Sequence, residues 1–242
     1  MHRQIIMAAA LCSFVSPSLD AQQQCTLVPS VASTVPQATS ANAFPWLRSP
    51  GQQIRVLHQF GASNFASVGH PIFIQKLRFR AYDTSARTWA GGTYANVKIS
   101  MSTGVTSYTA IDQTFANNHG TDLKVVYQGP VDVLPGSHTG TGPGPFYIEI
   151  DLAAPGFAYN PGSGSDVCID IQHDGSNTGV MQSNYTATYN TTQMPAGSRV
   201  YHNSDMNAAI GTGITINYAP AMEMCWIPQK GLFASFKASP TS

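Results

Sequence analysis

The feature that most constrains the fold is a two-residue alternation of apolar and polar side chains, cut repeatedly by glycine and proline. In PIFIQKLRFRA the alternation places Phe73, Leu77 and Phe79 on one side, and Ile74, Lys76, Arg78 and Arg80 on the other. Successive side chains of a β-strand point to opposite faces of the sheet. The segment is therefore predicted to be a half-buried strand, apolar toward a core and basic toward solvent or a partner.

Short runs of this kind recur along the chain and are rich in Val, Ile, Tyr and Phe. They are IRVLHQF, PIFIQKLRFRA, NVKISM, DLKVVYQG, PFYIEIDL, DVCIDIQH, TGVMQ, SRVYHN, AMEMCWI and GLFASF. No segment repeats apolar residues at helical spacing over a sustained length. Roughly ten strands separated by turns predict an all-β fold, an antiparallel β-sandwich of jelly-roll type.

The N-terminus predicts export. Arg3 is followed by an apolar run from Ile5 to Val15 and by a polar stretch that ends at Ala21, the pattern of a secretory signal peptide. The run is too short to be a permanent membrane anchor. We expect residues 1–21 to be removed, leaving a mature protein with no membrane span that is extracellular, periplasmic or at the cell surface.

The rest of the chain predicts one domain. Residues 22–50 are rich in Ser, Thr, Ala, Pro and Gln and predict an extended arm or a linker, with Phe44 and Trp46 as its main large anchors. Residues 51–237 predict a single β-sandwich domain, because no break in composition divides them. Residues 238–242 are left as a C-terminal tail.

Three cysteines remain once Cys12 leaves with the signal peptide. An oxidising compartment favours a disulfide between two of them. Cys168 and Cys225 both fall within predicted strands, so the favoured bridge joins these two and leaves Cys25 in the arm. A bridge from Cys25 to either partner remains open, because spacing does not determine connectivity.

The charge balance excludes one class of partner and indicates another. Lys and Arg together number 12, as do Asp and Glu, so nucleic acid is not expected to bind. The row Lys76, Arg78 and Arg80, with Lys98 on the next strand, is the surface where an anionic partner is predicted. An ordinary solvated strand face is the alternative.

Three stretches resemble a group of uncharacterised secreted proteins of environmental bacteria. They are IQKLRFRAYDTSARTWAGGTYANVKISMST, TFANNHGTDLKVVYQGPV and GPFYIEIDLAAPGFAYNPGSGSDVCIDI. The resemblance covers roughly residues 50–235 and implies an exported all-β module. It implies no catalytic residue that can be transferred to this chain.

The stretch FYIEIDLAAP is the candidate catalytic segment. Alternation places Tyr147, Glu149 and Asp151 together on the polar face, and two carboxylates beside an aromatic ring can cleave a glycosidic bond. The stretch is similar to the E-x-D-x-x-E strand of laminarinase-like jelly-roll glycoside hydrolases, but Ala154 occupies the position of the second Glu. Asp170 or Glu223 would have to complete the pair. A solvated strand face is again the alternative.

Metal and sugar sites are also predicted. His173, Asp174 and His202 are candidate ligands of a divalent metal, against scattered surface histidines. The loops DGSNTG (174–179) and NNHGTD (117–122) offer oxygens for a structural Ca²⁺, although Asx turns explain them equally well. The rings of Trp46, Trp89, Tyr94, Tyr147 and Tyr185 would form a sugar-stacking platform if exposed, and otherwise belong to the core.

Together these features predict a secreted, non-catalytic β-sandwich module. Its role is extracellular binding, with a polysaccharide as the first expected ligand, or a structural part of the cell envelope or matrix. The alternative is a carbohydrate-active enzyme, a glycoside hydrolase or polysaccharide lyase, that uses Glu149 and Asp151 on a concave sheet face.

Overall fold

A computed structural model describes residues 22–34, 38, 40–46, 48–177, 186–190 and 196–229. The predicted signal peptide (1–21), the predicted tail (238–242), Tyr185 and the predicted strands TGVMQ and GLFASF lie outside the described residues.

Within the described ranges the chain forms short strands joined by turns and single-turn helices. The strands are β1 (Gln24–Val28), β2 (Ser40–Asn42), β3 (Ile54–Phe60), β4 (Ile72–Arg80), β5 (Arg87–Trp89), β6 (Gly92–Thr103), β7 (Lys124–Val133), β8 (Gly136–His138), β9 (Phe146–Asp151), β10 (Phe157–Tyr159), β11 (Val167–His173), β12 (Thr186–Tyr189), β13 (Gly197–His202), β14 (Gly213–Thr215), β15 (Ala219–Pro220) and β16 (Met222–Pro228). The 3-10 helices are Ser30–Ser33, Ala62–Phe65, Tyr108–Ala110, Phe115–Asn118 and Pro161–Ser163. None of the helices in these ranges is long and apolar enough to cross a bilayer.

Two large antiparallel sheets form the sandwich. One has the order β1-β16-β4-β10, with β9 pairing the remaining length of β4, and the other has the order β14-β13-β3-β11-β6-β7. The predicted all-β sandwich is confirmed, and its jelly-roll connectivity stays a prediction. Two smaller sheets, β15-β12-β2 and β5-β8, complete the described fold.

The alternating apolar residues of the two large sheets pack into one core. Buried side chains of β4 meet those of the central strands β3 and β11 in a single cluster. Burying each large aliphatic or aromatic side chain contributes about 1.5–3 kcal/mol relative to leaving it exposed. Trp46 is fully buried in this core, with ring centroids 5.1 Å from Phe79, 5.3 Å from Tyr94 and 5.5 Å from His173, the last in parallel stacking.

One bulge interrupts the predicted alternation of β4, and a second one lies in β9, opposite the end of β4. The register with β16 shifts between Cys225 and Trp226, so Ile74 is buried and Phe73 is half-buried, the reverse of the prediction. A second shift with β9 lies between Phe79 and Arg80. A bulge inserts one extra residue and thereby re-aims the following side chains.

Arg80 keeps its outward place in the alternation but is buried beneath Tyr189 of β12 and beside Asp83, so its predicted place in an exposed basic row is wrong. Its Nη2 donates a hydrogen bond to the Tyr189 hydroxyl at 2.8 Å and lies 3.4 Å from the Asp83 carboxylate. Arg80 therefore ties β4 to β12 inside the protein.

The N-terminal segment belongs to the sandwich and is not a linker. β1 is an edge strand paired with β16, and Cys25 lies directly opposite Cys225, to which it is disulfide-bonded. The predicted Cys168–Cys225 bridge is wrong because the two residues lie in different sheets. Cys168 is a buried free thiol in β11.

A third layer covers the outer face of the six-stranded sheet. Ile111 and Phe115, from the segment between β6 and β7, pack against Leu57, Cys168 and Val200. The outer face of an antiparallel sheet in a two-layer sandwich is commonly open to solvent. The covering segment closes it and leaves less of the surface available for a ligand.

The disulfide predicts a measurable contribution to stability. It closes a chain separation of 200 residues, so replacing both Cys25 and Cys225 with Ser is expected to lower the free energy of unfolding by about 2–5 kcal/mol. Urea denaturation measures this difference, and Cys168→Ala, which breaks no bridge, is the matched control. Alkylation of the unfolded, unreduced mature protein is expected to label Cys168 alone, and labelling of Cys25 would contradict the assignment.

Candidate functional site

The outer face of the five-stranded sheet holds an alternating set of charges rather than a basic patch. We name Lys76, Arg78, Glu149, Asp151 and Glu223 the charge ladder. Arg78 lies 2.9 Å from the Glu149 carboxylate and 2.6 Å from that of Glu223. Lys76 Nζ lies 3.3 Å from Asp151 and 3.6 Å from Glu149. Both cations are neutralised by carboxylates, and Lys98 lies on β6 of the other sheet, so the predicted basic surface does not form.

The two predicted catalytic carboxylates, Glu149 and Asp151, both belong to the charge ladder. Burial lowers the pKa of Arg78, but hydrogen bonds and the charges of Glu149 and Glu223 outweigh it and raise the pKa overall. Glu149 and Asp151 share the Lys76 ammonium, whereas a glycosidase needs a sugar between its two carboxylates. Asp170 lies in the other sheet and does not join them. A catalytic role for Glu149 and Asp151 stays a prediction.

The three aromatic residues predicted to bind a ligand do not form an exposed platform. Tyr94 is fully buried beside Trp46 and His173. Tyr147 is buried, shares a hydrogen bond of 2.8 Å with the Thr186 hydroxyl, and has its pKa raised by burial. Both rings therefore belong to the core, the alternative to a sugar platform. Tyr94 lies on the inner face of β6, and the bulge in β9 turns Tyr147 away from its predicted polar face.

The positions of Trp89 and Phe146 also differ from those expected for a sugar-binding platform. Trp89 is also buried, and its indole nitrogen donates to the Leu134 carbonyl at 3.0 Å. Phe146 was predicted to face the core, but it lies half-buried on the side of the charge ladder, with the Arg78 guanidinium 4.4 Å from its ring centre. The ring available at the surface of β9 is therefore that of Phe146 rather than Tyr147.

A groove of about 470 Å³ opens beside the charge ladder. It lies where β8 and the loop that precedes it meet β9. Its lining combines aromatic and aliphatic groups with two carboxylates and comprises Trp89, Asp132, Leu134, Pro135, Gly136, Ser137, Pro145, Phe146, Tyr147 and Glu149. Asp132 accepts a hydrogen bond from the Thr93 hydroxyl at 2.6 Å, which orients its carboxylate. Sequence reasoning found Glu149 but missed Asp132 and Leu134, which lie on a different strand and its loop.

The three predicted metal ligands do not converge. His173 and His202 lie opposite adjacent residues of β3, Ile54 and Arg55, and adjacent positions of a strand face opposite sides of the sheet. His173 Nε2 donates to the Pro45 carbonyl at 2.7 Å and Nδ1 accepts from Gly175 N at 3.1 Å, so neither nitrogen is left for a metal. The predicted site is wrong for this reason.

Asp174 has a different role. Its carboxylate accepts a hydrogen bond from the Asn96 side chain at 2.7 Å and fixes the loop that begins at the end of β11. In the second predicted calcium loop, Asp122 accepts from the backbone and hydroxyl of Thr103 at 2.9 and 3.0 Å. These contacts are the loop-ordering bonds expected of Asx residues, and a structural Ca²⁺ stays a prediction.

A buried polar network on the outer face of the six-stranded sheet was not predicted. The Ser102 hydroxyl lies 2.8 Å from His119 Nδ1, and His119 Nε2 lies 3.4 Å from the Asp170 carboxylate. Arg55 holds that carboxylate with three contacts of 2.6–3.2 Å. The residue types match a serine hydrolase triad, but Ser102 is fully buried and the acid is paired with Arg55. The network fastens the covering segment to the sheet.

Comparisons with known proteins give no match. No family model, no curated protein and no solved structure matches the chain. The Cys25–Cys225 disulfide is compatible with an oxidising compartment.

Two buried neutral histidines predict acid sensitivity. Burial lowers the pKa of His173 to about 4, and burial together with the charge of Arg199 lowers the pKa of His58 to about 3, from an ordinary value of 6.5. Between about pH 6.5 and pH 4 the unfolded chain binds more protons, so stability falls as the pH falls. Each histidine contributes up to about 1.4 kcal/mol per pH unit in that window.

Urea denaturation across this pH range tests the assignment. His58→Met keeps the volume and removes one titrating group, so it is expected to reduce the slope of stability against pH. His70→Gln removes an exposed histidine and is the matched control. Equal slopes for wild type and His58→Met would contradict the prediction.

Proposed function

We propose that the mature chain is a secreted, non-catalytic module that binds a glycan in the groove between β8 and β9. The observation that supports this most directly is the lining of the groove, in which apolar and aromatic surface lies beside the carboxylates of Asp132 and Glu149. Protein sites for small polar ligands commonly combine apolar walls with a few placed polar groups.

The groove offers both kinds of contact that a sugar makes. The apolar faces of a sugar ring pack on rings and aliphatic side chains, here Phe146, the prolines and Leu134, which is 78% exposed. Sugar hydroxyls donate hydrogen bonds to carboxylates, here Asp132 and Glu149. The groove lies on strands of the sandwich and on the small β5-β8 sheet, so its walls are ordered before a ligand arrives.

The contacts that Glu149 makes with Arg78 and Lys76 favour binding over cleavage. Its two oxygens contact Arg78 and Lys76, and it is therefore engaged as an anionic acceptor in the charge ladder. A general acid needs a protonated carboxyl placed against the leaving oxygen. The lysine between Glu149 and Asp151 leaves no place for a substrate between that pair.

A glycan-cleaving enzyme is the second candidate. The observation that favours it is that Asp132 and Glu149, carboxylates from two different strands, line one groove. An enzyme of this kind releases reducing sugar from its substrate, and Glu149→Gln would abolish the release. A binding module retains the polysaccharide without releasing sugar.

Affinity electrophoresis on gels containing neutral polysaccharides tests the proposal. Wild-type protein is expected to be retarded, and Phe146→Ala or Leu134→Ser is expected to weaken binding about tenfold, the effect of losing roughly 1.4 kcal/mol of contact energy. Leu123→Ser changes an exposed leucine near the start of β7, outside the groove lining, and is the matched control.

Two results would contradict the proposal. One is equal retardation of wild type and both groove variants. The other is the absence of retardation on a broad panel of glycans, which would favour a structural role in the cell envelope or matrix. Release of sugar that Glu149→Gln abolishes would establish the enzymatic alternative instead.

A further inference from the structure

We infer that Arg48 and Arg199, grouped around the ring of Phe44, form a second site that binds the anionic group of an acidic sugar. We name Phe44, Arg48, Arg199, Tyr201 and Tyr218 the arginine–aromatic cluster. None of these residues lines the groove. The cluster does not depend on the proposed function of the groove.

The cluster brings two guanidinium groups to the same aromatic ring. The Arg48 guanidinium carbon lies 4.5 Å from the centre of the Phe44 ring, and that of Arg199 lies 5.2 Å from it. Arg199 also lies 5.1 Å from the ring of Tyr201 and 4.4 Å from that of Tyr218. Cation–π contacts with the rings hold both side chains in place and do not use the N–H groups of the guanidinium planes as hydrogen-bond donors.

Several of these N–H groups lack an acceptor. Nε and Nη2 of Arg48 and Nη1 of Arg199 are buried and have no hydrogen-bond partner among the residues that the structure describes. The one side-chain bond of Arg199 is a long contact of 3.4 Å from Nε to the Thr215 hydroxyl. A buried donor without an acceptor costs about 1–3 kcal/mol, and more when it is charged. Buried polar groups in folded proteins are therefore nearly always paired.

No carboxylate in the described part of the chain pairs with either arginine. The ion pairs among the described residues join carboxylates to Arg55, Lys76, Arg78, Arg80 and His119, and none includes Arg48 or Arg199. The residues outside the described ranges contain a single acidic residue, Asp20, which lies in the predicted signal peptide. A bound anion would supply the counter-charge that the described residues do not provide.

The electrostatics of the neighbourhood agree with an uncompensated positive charge. Burial lowers the pKa of both Arg48 and Arg199. The charge of Arg199 also contributes, after burial, to the low pKa of His58, the residue directly opposite it on β3. An anion bound here would gain from partly desolvated guanidinium groups, which form strong charge-assisted hydrogen bonds.

The chemistry of the cluster indicates the class of ligand. Guanidinium groups bind carboxylate and sulfate oxygens through paired N–H donors. Phe44, Tyr201 and Tyr218 are half-buried, so each ring keeps some surface for an apolar contact. An anionic group on a ring with an apolar face uses both features, and a uronic acid or a sulfated sugar has this combination.

Titration of isotope-labelled protein with three oligosaccharides of equal length tests the inference. The probes are an oligogalacturonate, a sulfated galactose oligomer and a neutral galactose oligomer. We expect the Nε–H signals of Arg48 and Arg199 to shift with an acidic probe, and affinity to be at least about tenfold higher than for the neutral probe and to fall with added salt. The acidic probe that binds more tightly identifies the anionic group as carboxylate or sulfate.

Arg48→Gln is the deciding variant, because this side chain is half-buried and its loss does not open the core. It is expected to weaken binding of the acidic probe at least about tenfold. Lys124→Gln removes one positive charge from an exposed site on β7 and is expected to change affinity less than about twofold. Arg199→Met, which removes the buried charge, is expected to abolish the shift of the Arg48 signal.

Equal affinity for neutral and acidic probes would overturn the inference, as would unchanged binding in Arg48→Gln. If Arg199→Met does not fold, Arg48→Gln and the salt dependence still decide. The groove variants Phe146→Ala and Leu134→Ser are expected to leave the shifts of the two arginine signals unchanged. Failure of the groove and failure of the arginine–aromatic cluster are therefore distinguishable.

Discussion

The structure depends on packing the alternating apolar side chains of two sheets against each other. β3 and β11 present Ile, Val and Phe to the buried side of β4, and Trp46 fills the centre of the layer between them. Because each strand contributes every second residue to this core, the remaining residues must face outward or be covered. The charge ladder, the groove and the buried polar network are three outcomes for those remaining residues.

The alternation in the sequence was sufficient to predict the strands β3, β4, β6, β7, β9, β11, β13 and β16 and core residues such as Leu77 and Phe79, but it missed β1 and the shorter strands. It failed at Ile74 and Tyr147, where bulges shift the register by one residue, and at Arg80, which Tyr189 of β12 covers. A bulge depends on how a strand pairs with its neighbours, here β16 and β9, and that pairing cannot be read from one strand. The prediction of the disulfide partners failed for a related reason, because the partners depend on which strands lie in the same sheet.

The electrostatic surface also depends on which strands become neighbours in the folded chain. A sequence with equal numbers of acidic and basic residues has no obvious electrostatic surface, and a row of basic residues on one strand indicates a basic patch. In the folded chain that row is opposed by carboxylates of the neighbouring strands, so it becomes the charge ladder. The uncompensated positive charge lies instead at Arg48 and Arg199, which come from separate parts of the sequence and have no pattern in common.

Covering of the outer sheet face limits where ligands can bind. The segment that contains Ile111, Phe115 and His119 covers the outer face of the six-stranded sheet. On the outer face of the five-stranded sheet, the basic side chains are paired with carboxylates in the charge ladder. What remains is at the margins, where short strands and loops attach to a rigid sandwich. The groove is lined in part by the small β5-β8 sheet. The arginine–aromatic cluster includes Phe44 and Arg48, which lie on either side of Trp46 in the sequence. Both the groove and the arginine–aromatic cluster join loops to the ordered framework of the sandwich. Binding sites of β-sandwich proteins commonly lie on loops held in this way.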